Sequence, residues 1–214
     1  LSFSTQEVSR CLLQRWKKFL MDSIKGLELP VEVCLDIACG TGDITFGLAQ
    51  KFPSAHIIGF DLSEEMLQIS RDRNRFRNVQ FVKGEMSDLP YDEESIDVIA
   101  GSYALRNAPD LTITLNEIHR VLRKGGRAVF LDFHSSPISM VRRIHYGLLK
   151  FWGSLWGTVV HGNPNIYAYI ADSLKHFPDS SSLFSLLRKS GFTNITIEKR
   201  FFDLIIIIAF NKKR

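Results

Sequence analysis

Leu35-Asp36-Ile37-Ala38-Cys39-Gly40-Thr41-Gly42-Asp43 reads as a strand that turns through two closely spaced glycines into a helix. Glycine lacks a Cβ, so the backbone there can approach a bound molecule where any side chain would collide. Asp61 ends the next apolar stretch, His56 to Phe60, in the position from which a carboxylate accepts hydrogen bonds from two ribose hydroxyls. A helix-capping aspartate is the other reading of Asp61. Gly42 is followed by Asp43, Ile44 and Thr45, so the third glycine of the dinucleotide fingerprint is missing and a nucleoside cofactor without a pyrophosphate fits better. The expected ligand is S-adenosylmethionine, with backbone amides of the loop for its carboxylate and Asp36 for its ammonium.

Working outward from this loop, strand and helix patterns alternate. A strand near Val33 to Ile37, a helix near Asp43 to Lys51, a strand at His56 to Phe60 and a helix at Glu64 to Asn74 come first. Val79 to Val82, a turn at Leu89 to Glu94, Ile96 to Gly101, a helix near Leu111 to Leu122, the turn Lys124-Gly125-Gly126 and Ala128 to Phe133 follow. Five strands with helical crossovers imply a parallel sheet covered on both faces. A helix at Ser181 to Ser190 and two strands, Phe192 to Lys199 and Leu204 to Phe210, close the chain as an antiparallel hairpin. Ser63 before Glu64 and Glu65 predicts a helix N-cap.

Two segments lie outside this rhythm. Val8 to Ile24 is an amphipathic helix, and residues 1–28 are expected to form an N-terminal helical cover. Ile138 to Phe177 gathers Tyr146, Phe151, Trp152, Trp156, Tyr167 and Tyr169, so 138–178 is expected to be a substrate lid inserted into the one domain spanning 1–214. A static helical pair completing the core is the competing reading of that insertion.

Composition narrows the class. A net charge of +4 without a Lys/Arg block argues against a nucleic-acid partner, and Lys212, Lys213 and Arg214 make only a short basic tail. Cys11, Cys34 and Cys39 form neither a CxxC pair nor an even set, so no disulfide framework and no metal site are expected, and a reducing, cytoplasmic setting fits. The longest apolar run, Leu204 to Phe210, is far below the ~18 residues of a membrane span. The chain opens on Leu1, which leaves an upstream signal or transit segment open.

Beyond these patterns, the sequence resembles the ubiquinone/menaquinone biosynthesis C-methyltransferases of the UbiE/MenG type along nearly its whole length. The resemblance rests on Leu35 to Asp43, on Ser102-Tyr103-Ala104-Leu105-Arg106-Asn107, and on Arg120-Val121-Leu122-Arg123-Lys124-Gly125-Gly126 leading to Leu131-Asp132-Phe133. Tyr167-x-Tyr169-Ile170-x-x-Ser173, Phe177-Pro178 and Ser190-Gly191-Phe192 extend it. It implies a Rossmann-like class I methyltransferase, with seven mostly parallel strands, an antiparallel last strand and helices on both faces.

It further implies cofactor contacts from Gly40, Thr41, Gly42, Asp61, Leu62, Glu85, Met86 and Ser102, with Glu85 standing where the family has Asp or Asn. From their place after the fourth strand, Arg106 and Asn107 are the candidate catalytic pair. Arg106, at the carboxyl edge of the fourth strand, can stabilise a quinol oxyanion or orient a water, or else bridge Asp110 or a helix end. Asn107 can orient the same oxygen or cap the helix beyond Pro109. His134, His145 and Tyr146 lie near enough to assist a proton transfer, but none is assigned as a base. The implied substrate is a hydrophobic polyprenyl quinol of the demethylmenaquinol type, with which peripheral membrane contact is compatible; methylation of another small molecule, or cofactor binding without catalysis, is the competing reading. A homodimer is compatible with the sequence but not fixed by it.

Overall fold

The computed structural model describes residues 16–25, 27, 30–134, 147, 173–174, 177–201 and 203–214. Its seven strands are β1 (Val33–Ile37), β2 (His56–Asp61), β3 (Val79–Lys83), β4 (Ile96–Ser102), β5 (Leu122–Phe133), β6 (Phe192–Arg200) and β7 (Ile205–Lys212). They form one sheet in the order β3-β2-β1-β4-β5-β7-β6. Only β7 runs antiparallel to its neighbours, β5 and β6. The chain therefore leaves β1 in both directions, to β2 on one side and β4 on the other, and a cleft opens at the carboxyl ends of β1 and β4.

The helices are α1 (16–23, its described part), α2 (Asp43–Lys51), α3 (Glu64–Arg73), α4 (Leu111–Val121) and α5 (Ser180–Lys189). One core layer joins Leu20 and Ile24 near α1 and Ile44 and Leu48 of α2 to one face of the sheet. The opposite layer joins Leu115 and Ile118 of α4 and Leu183 and Leu187 of α5 to the other. β7 explains why its sequence is a continuous apolar run. Ile205, Ile207 and Ala209 feed the first layer while Ile206, Ile208 and Phe210 feed the second.

Local chemistry sets the helix starts. Ser63 Oγ accepts from Met66 N at 3.3 Å, as the sequence predicts for α3. Asp110, not Asn107, caps α4, its Oδ1 accepting from Thr112 N at 2.8 Å and Ile113 N at 3.0 Å. The expected Lys124-Gly125-Gly126 turn is a bulge inside a longer β5: pairing jumps from Ile96↔Leu122 to Val98↔Arg127, with Gly125 at φ 78°. The described residues of α1 are built into the core, with Leu20 fully buried, and Arg127 Nε donates to Ser23 O at 2.8 Å. The expected lid, 138–178, lies almost wholly outside the described residues, as do His145 and Tyr146.

Candidate active site

The glycine loop is fastened from beneath. Cys39 N donates to Phe60 O at 3.1 Å, and Gly40 N donates to Asp61 Oδ2 at 2.7 Å. Ser70 Oγ of α3 donates to Gly40 O at 2.7 Å, and Arg73 Nη1 donates to Thr41 O at 2.8 Å. Asp61 Oδ1 accepts from Ser63 N at 2.8 Å, so one carboxylate ties the loop of β1 to the end of β2. Two non-glycine residues at the cleft floor adopt left-handed backbone, Ala38 at φ 55° and Tyr103 at φ 57°. Strain of this kind concentrates where a ligand is held.

Two cavities flank that floor and share Ala38, Gly40, Ser102 and Tyr103. The larger, 530 Å³, holds Asp61, Leu62, Glu85 and Met86 at one part of its lining and Arg106, Asn107 and Phe133 at another. The smaller, 260 Å³, is lined by Trp16, Lys17, Cys39, Thr41 and Asp43 among others. Gly40 borders both, at φ +53°, and a Cβ built on it would project into open space. That open space beside the backbone, with an aspartate at the end of β2, fits a nucleoside ligand crossing from one cavity to the other.

Nine of the expected site residues thus reach a cavity wall: Gly40, Thr41, Asp61, Leu62, Glu85, Met86, Ser102, Arg106 and Asn107. Asp36 and Gly42 line neither cavity. Asp36 is fully buried, with Oδ2 accepting from Thr45 Oγ1 at 2.6 Å, because β1 turns this side chain toward α2. Its Oδ1 has no hydrogen-bond partner among the described residues. Burial pushes its carboxyl up to about 7, the Thr45 hydrogen bonds opposing and Asp61 and Asp43 adding to the rise. A Cβ on Gly42 would come within 2.9 Å of the Phe46 ring, so this glycine lets the loop pack closely against α2. Cys39 lines the smaller cavity, but burial pushes its thiol well above the usual range, which leaves it unsuited to act as a thiolate.

Arg106 is held by a partner that sequence spacing does not reveal. Asp132, fully buried at the end of β5, accepts Arg106 N at 3.1 Å through Oδ2, and its Oδ1 lies 3.1 Å from Arg106 Nε. Asp132 Oδ1 also accepts from Phe133 N at 2.9 Å. The guanidinium stands near the rings of Tyr103, at 5.9 Å, and Phe133, at 5.4 Å. Its Nη1 donates to Ser173 Oγ at 2.7 Å and to Asn107 Oδ1 at 3.2 Å, while Asn107 Nδ2 donates to Tyr103 O at 2.9 Å. The bridge is therefore to Asp132, not to Asp110. His134 is buried with its Nδ1 3.3 Å from Ser180 Oγ, and it lines neither cavity. Among the described residues no group of three or more His, Cys, Asp or Glu side chains is placed to hold a metal ion.

The model of the ubiE/COQ5 methyltransferase family matches residues 7–212. The chain belongs to that family. Its family is one of methyltransferases. A demethylmenaquinone methyltransferase of Staphylococcus carnosus is 33% identical over 188 residues, 86% of this chain and 76% of that one. A protein of the same name from Lactococcus lactis is 34% identical over 183 residues, 84% of this chain and 71% of its own length. In architecture the chain is similar to a Haemonchus contortus phosphoethanolamine N-methyltransferase solved with S-adenosyl-L-methionine, with a TM-score of 0.69 at 13% identity. That alignment covers 94% of this chain and 53% of the other, and it bears on the fold alone.

Proposed function

We propose that this methyltransferase methylates a ring carbon of a polyprenyl quinol of the demethylmenaquinol type. The observation that carries the reading is the meeting of two sequence elements at one cation: Arg106 of Leu105-Arg106-Asn107 donates to Ser173, the end of Tyr167-x-Tyr169-Ile170-x-x-Ser173, at 2.7 Å. The names of the relatives support the quinone as the substrate class.

When bound, S-adenosylmethionine supplies an electrophilic methyl group on a sulfonium. The larger cavity offers Asp61 for the ribose and Glu85 and Met86 for the adenine, and Thr41 and Ser102 stand by the floor between the cavities. Arg106 serves as the permanent cation that stabilises negative charge on the quinol oxygen beside the nucleophilic carbon. Asp132 fixes its backbone and its guanidinium together, so the cation needs little reorganisation as charge develops. Asn107, hydrogen-bonded to Arg106 and to the Tyr103 carbonyl, keeps the polar edge of the site in register. Alignment of two bound reactants alone supplies roughly 7 to 11 kcal/mol of rate acceleration, so a dedicated strong base is not required.

The segment 138–178 is the proposed apolar cover over the quinol side. Peripheral contact with a membrane fits a lipid substrate, and the exposed side chains of Leu62, just before α3, and of Met66 on it give apolar surface at the larger cavity. Among the described residues no helix is long and apolar enough to cross a membrane. The test is methyl transfer to a short-tailed demethylmenaquinol kept reduced. The wild type should add one methyl group per turnover, and Arg106→Gln should lower kcat by about 100-fold, the scale of one lost oxyanion donor, with cofactor affinity unchanged. Absence of methyl gain by the wild type removes the quinol as substrate, and an unchanged kcat in Arg106→Gln removes the role given to Arg106.

A further inference from the structure

The nucleoside half of the cofactor has its expected partners, Asp61, Glu85 and Met86, in the larger cavity, whereas the amino-acid half must pass the shared floor of Ala38, Gly40, Ser102 and Tyr103 into the smaller one. Among the described residues Lys17 is the one cationic side chain lining that smaller cavity. We infer that Lys17 of α1 is a cofactor-binding residue that recognises the α-carboxylate of S-adenosylmethionine. This inference rests on the reading of the two cavities as one cofactor site.

The ion-pair geometry around Lys17 makes such an exchange inexpensive. Lys17 Nζ lies 2.7 Å from Asp43 Oδ1, and Arg73 Nη2 lies 3.0 Å from the same oxygen. Two cations share one carboxylate, and the cluster of three carries a net charge of +1 (two positive side chains less one negative). A ligand carboxylate brings the missing negative charge. Lys17 can turn part of its three-donor ammonium toward it while Asp43 keeps Arg73, so no buried charge is stranded. Arg73 is not available for the same task, because its Nη1 is engaged with the carbonyl of Thr41 and it does not line the cavity. The Lys17 side chain is only 23% exposed, which strengthens a charge-assisted hydrogen bond relative to one made in open water.

The placement also gives α1 a purpose beyond packing. Leu20 and Ile24, one and two turns further on, are buried in the core, and Trp16 meets Phe201 edge-on at 6.3 Å. The helix thereby brings the ammonium to the wall of the smaller cavity, beside Asp43 at the start of α2.

Binding measurements on the full chain separate the possibilities. S-adenosylhomocysteine keeps the carboxylate, whereas 5′-methylthioadenosine keeps the nucleoside and loses the amino-acid moiety. Lys17→Met should weaken S-adenosylhomocysteine by about 10-fold or more and 5′-methylthioadenosine by less than about 2-fold. Lys17→Arg should recover most of the loss, and Lys18→Met, at the exposed neighbouring position, should bind both like the wild type. Equal losses for both ligands, or no loss for either, would overturn the assignment. A wild-type chain that binds neither ligand would instead overturn the cofactor site on which the assignment rests.

Discussion

Asp61 engages both carboxylate oxygens before any ligand arrives, one with Gly40 N and one with Ser63 N. A carboxylate has about four lone-pair positions, so ribose hydroxyls can be added without breaking either bond. Asp61→Ala should weaken cofactor binding by about 1.5 to 3 kcal/mol, the range for hydrogen bonds to a charged group. An unchanged affinity by calorimetry would reduce Asp61 to a brace of the loop. Asp36 makes a prediction of a different kind. Its ordinary value is 3.8, and burial holds it at about 7 in the folded chain, so the folded state keeps a proton that the unfolded state releases. Stability from this group is therefore full below about 4 and is lost as pH rises through about 7. Urea unfolding at pH 5 and pH 8 should show that loss in the wild type. Asp36→Asn should remove a part of it on the order of 2 to 3 kcal/mol. An identical pH slope in the two proteins would show that Asp36 is already ionised at pH 5. Asp132 and Asp36 were hard to assign from sequence for the same reason: both lie at the ends of buried strands, where spacing says that a side chain alternates but not which helix it meets.

At the level of elements, most of the sheet was legible because β1 to β4 are short apolar runs bounded by turn residues. What was not legible depended on contacts distant in sequence. β5 begins at Leu122 because its bulge lets a second pairing with Ile96 form, and only the partner strand reveals that. The cap of α4 fell to Asp110, three residues beyond Asn107, because Asn107 turns back to the Tyr103 carbonyl. Two glycines at the cleft should lose stability to very different degrees on substitution by alanine. Gly40 has open space where an added Cβ would point, so Gly40→Ala should cost stability only about 1 to 2 kcal/mol from its left-handed backbone while impairing cofactor binding. Gly101 in β4 would bring its Cβ within 2.9 Å of the Ile37 carbonyl, pressing β1 and β4 apart. Gly101→Ala should therefore lower the melting temperature far more than Gly40→Ala, as scanning calorimetry can read. The reverse order would mean that the cleft floor is more yielding than its backbone contacts imply.

For the whole molecule, the strand order places the chemistry: reversal at β1 opens the cleft, and β4 and β5 carry Arg106 and Asp132 to its rim. A ligand that binds only the folded cleft should stabilise the entire sheet, by about 2.7 kcal/mol at 100 times its Kd. Urea unfolding with S-adenosylhomocysteine at that excess should show this gain, and no shift would mean that the folded chain does not bind this ligand in preference to the unfolded one. The candidate cofactor site was marked in the sequence by a loop and an acid at fixed places, whereas the substrate class came from the resemblance, since apolar side chains state that a ligand is greasy without stating its ring. The most direct measurement of carbon methylation is carbon-13 NMR of the product formed from methyl-labelled S-adenosylmethionine and a reduced demethylmenaquinol analogue. A label appearing as a methyl on a ring carbon is the expected result; a label appearing as a methoxy group, or remaining entirely on the cofactor, would contradict it.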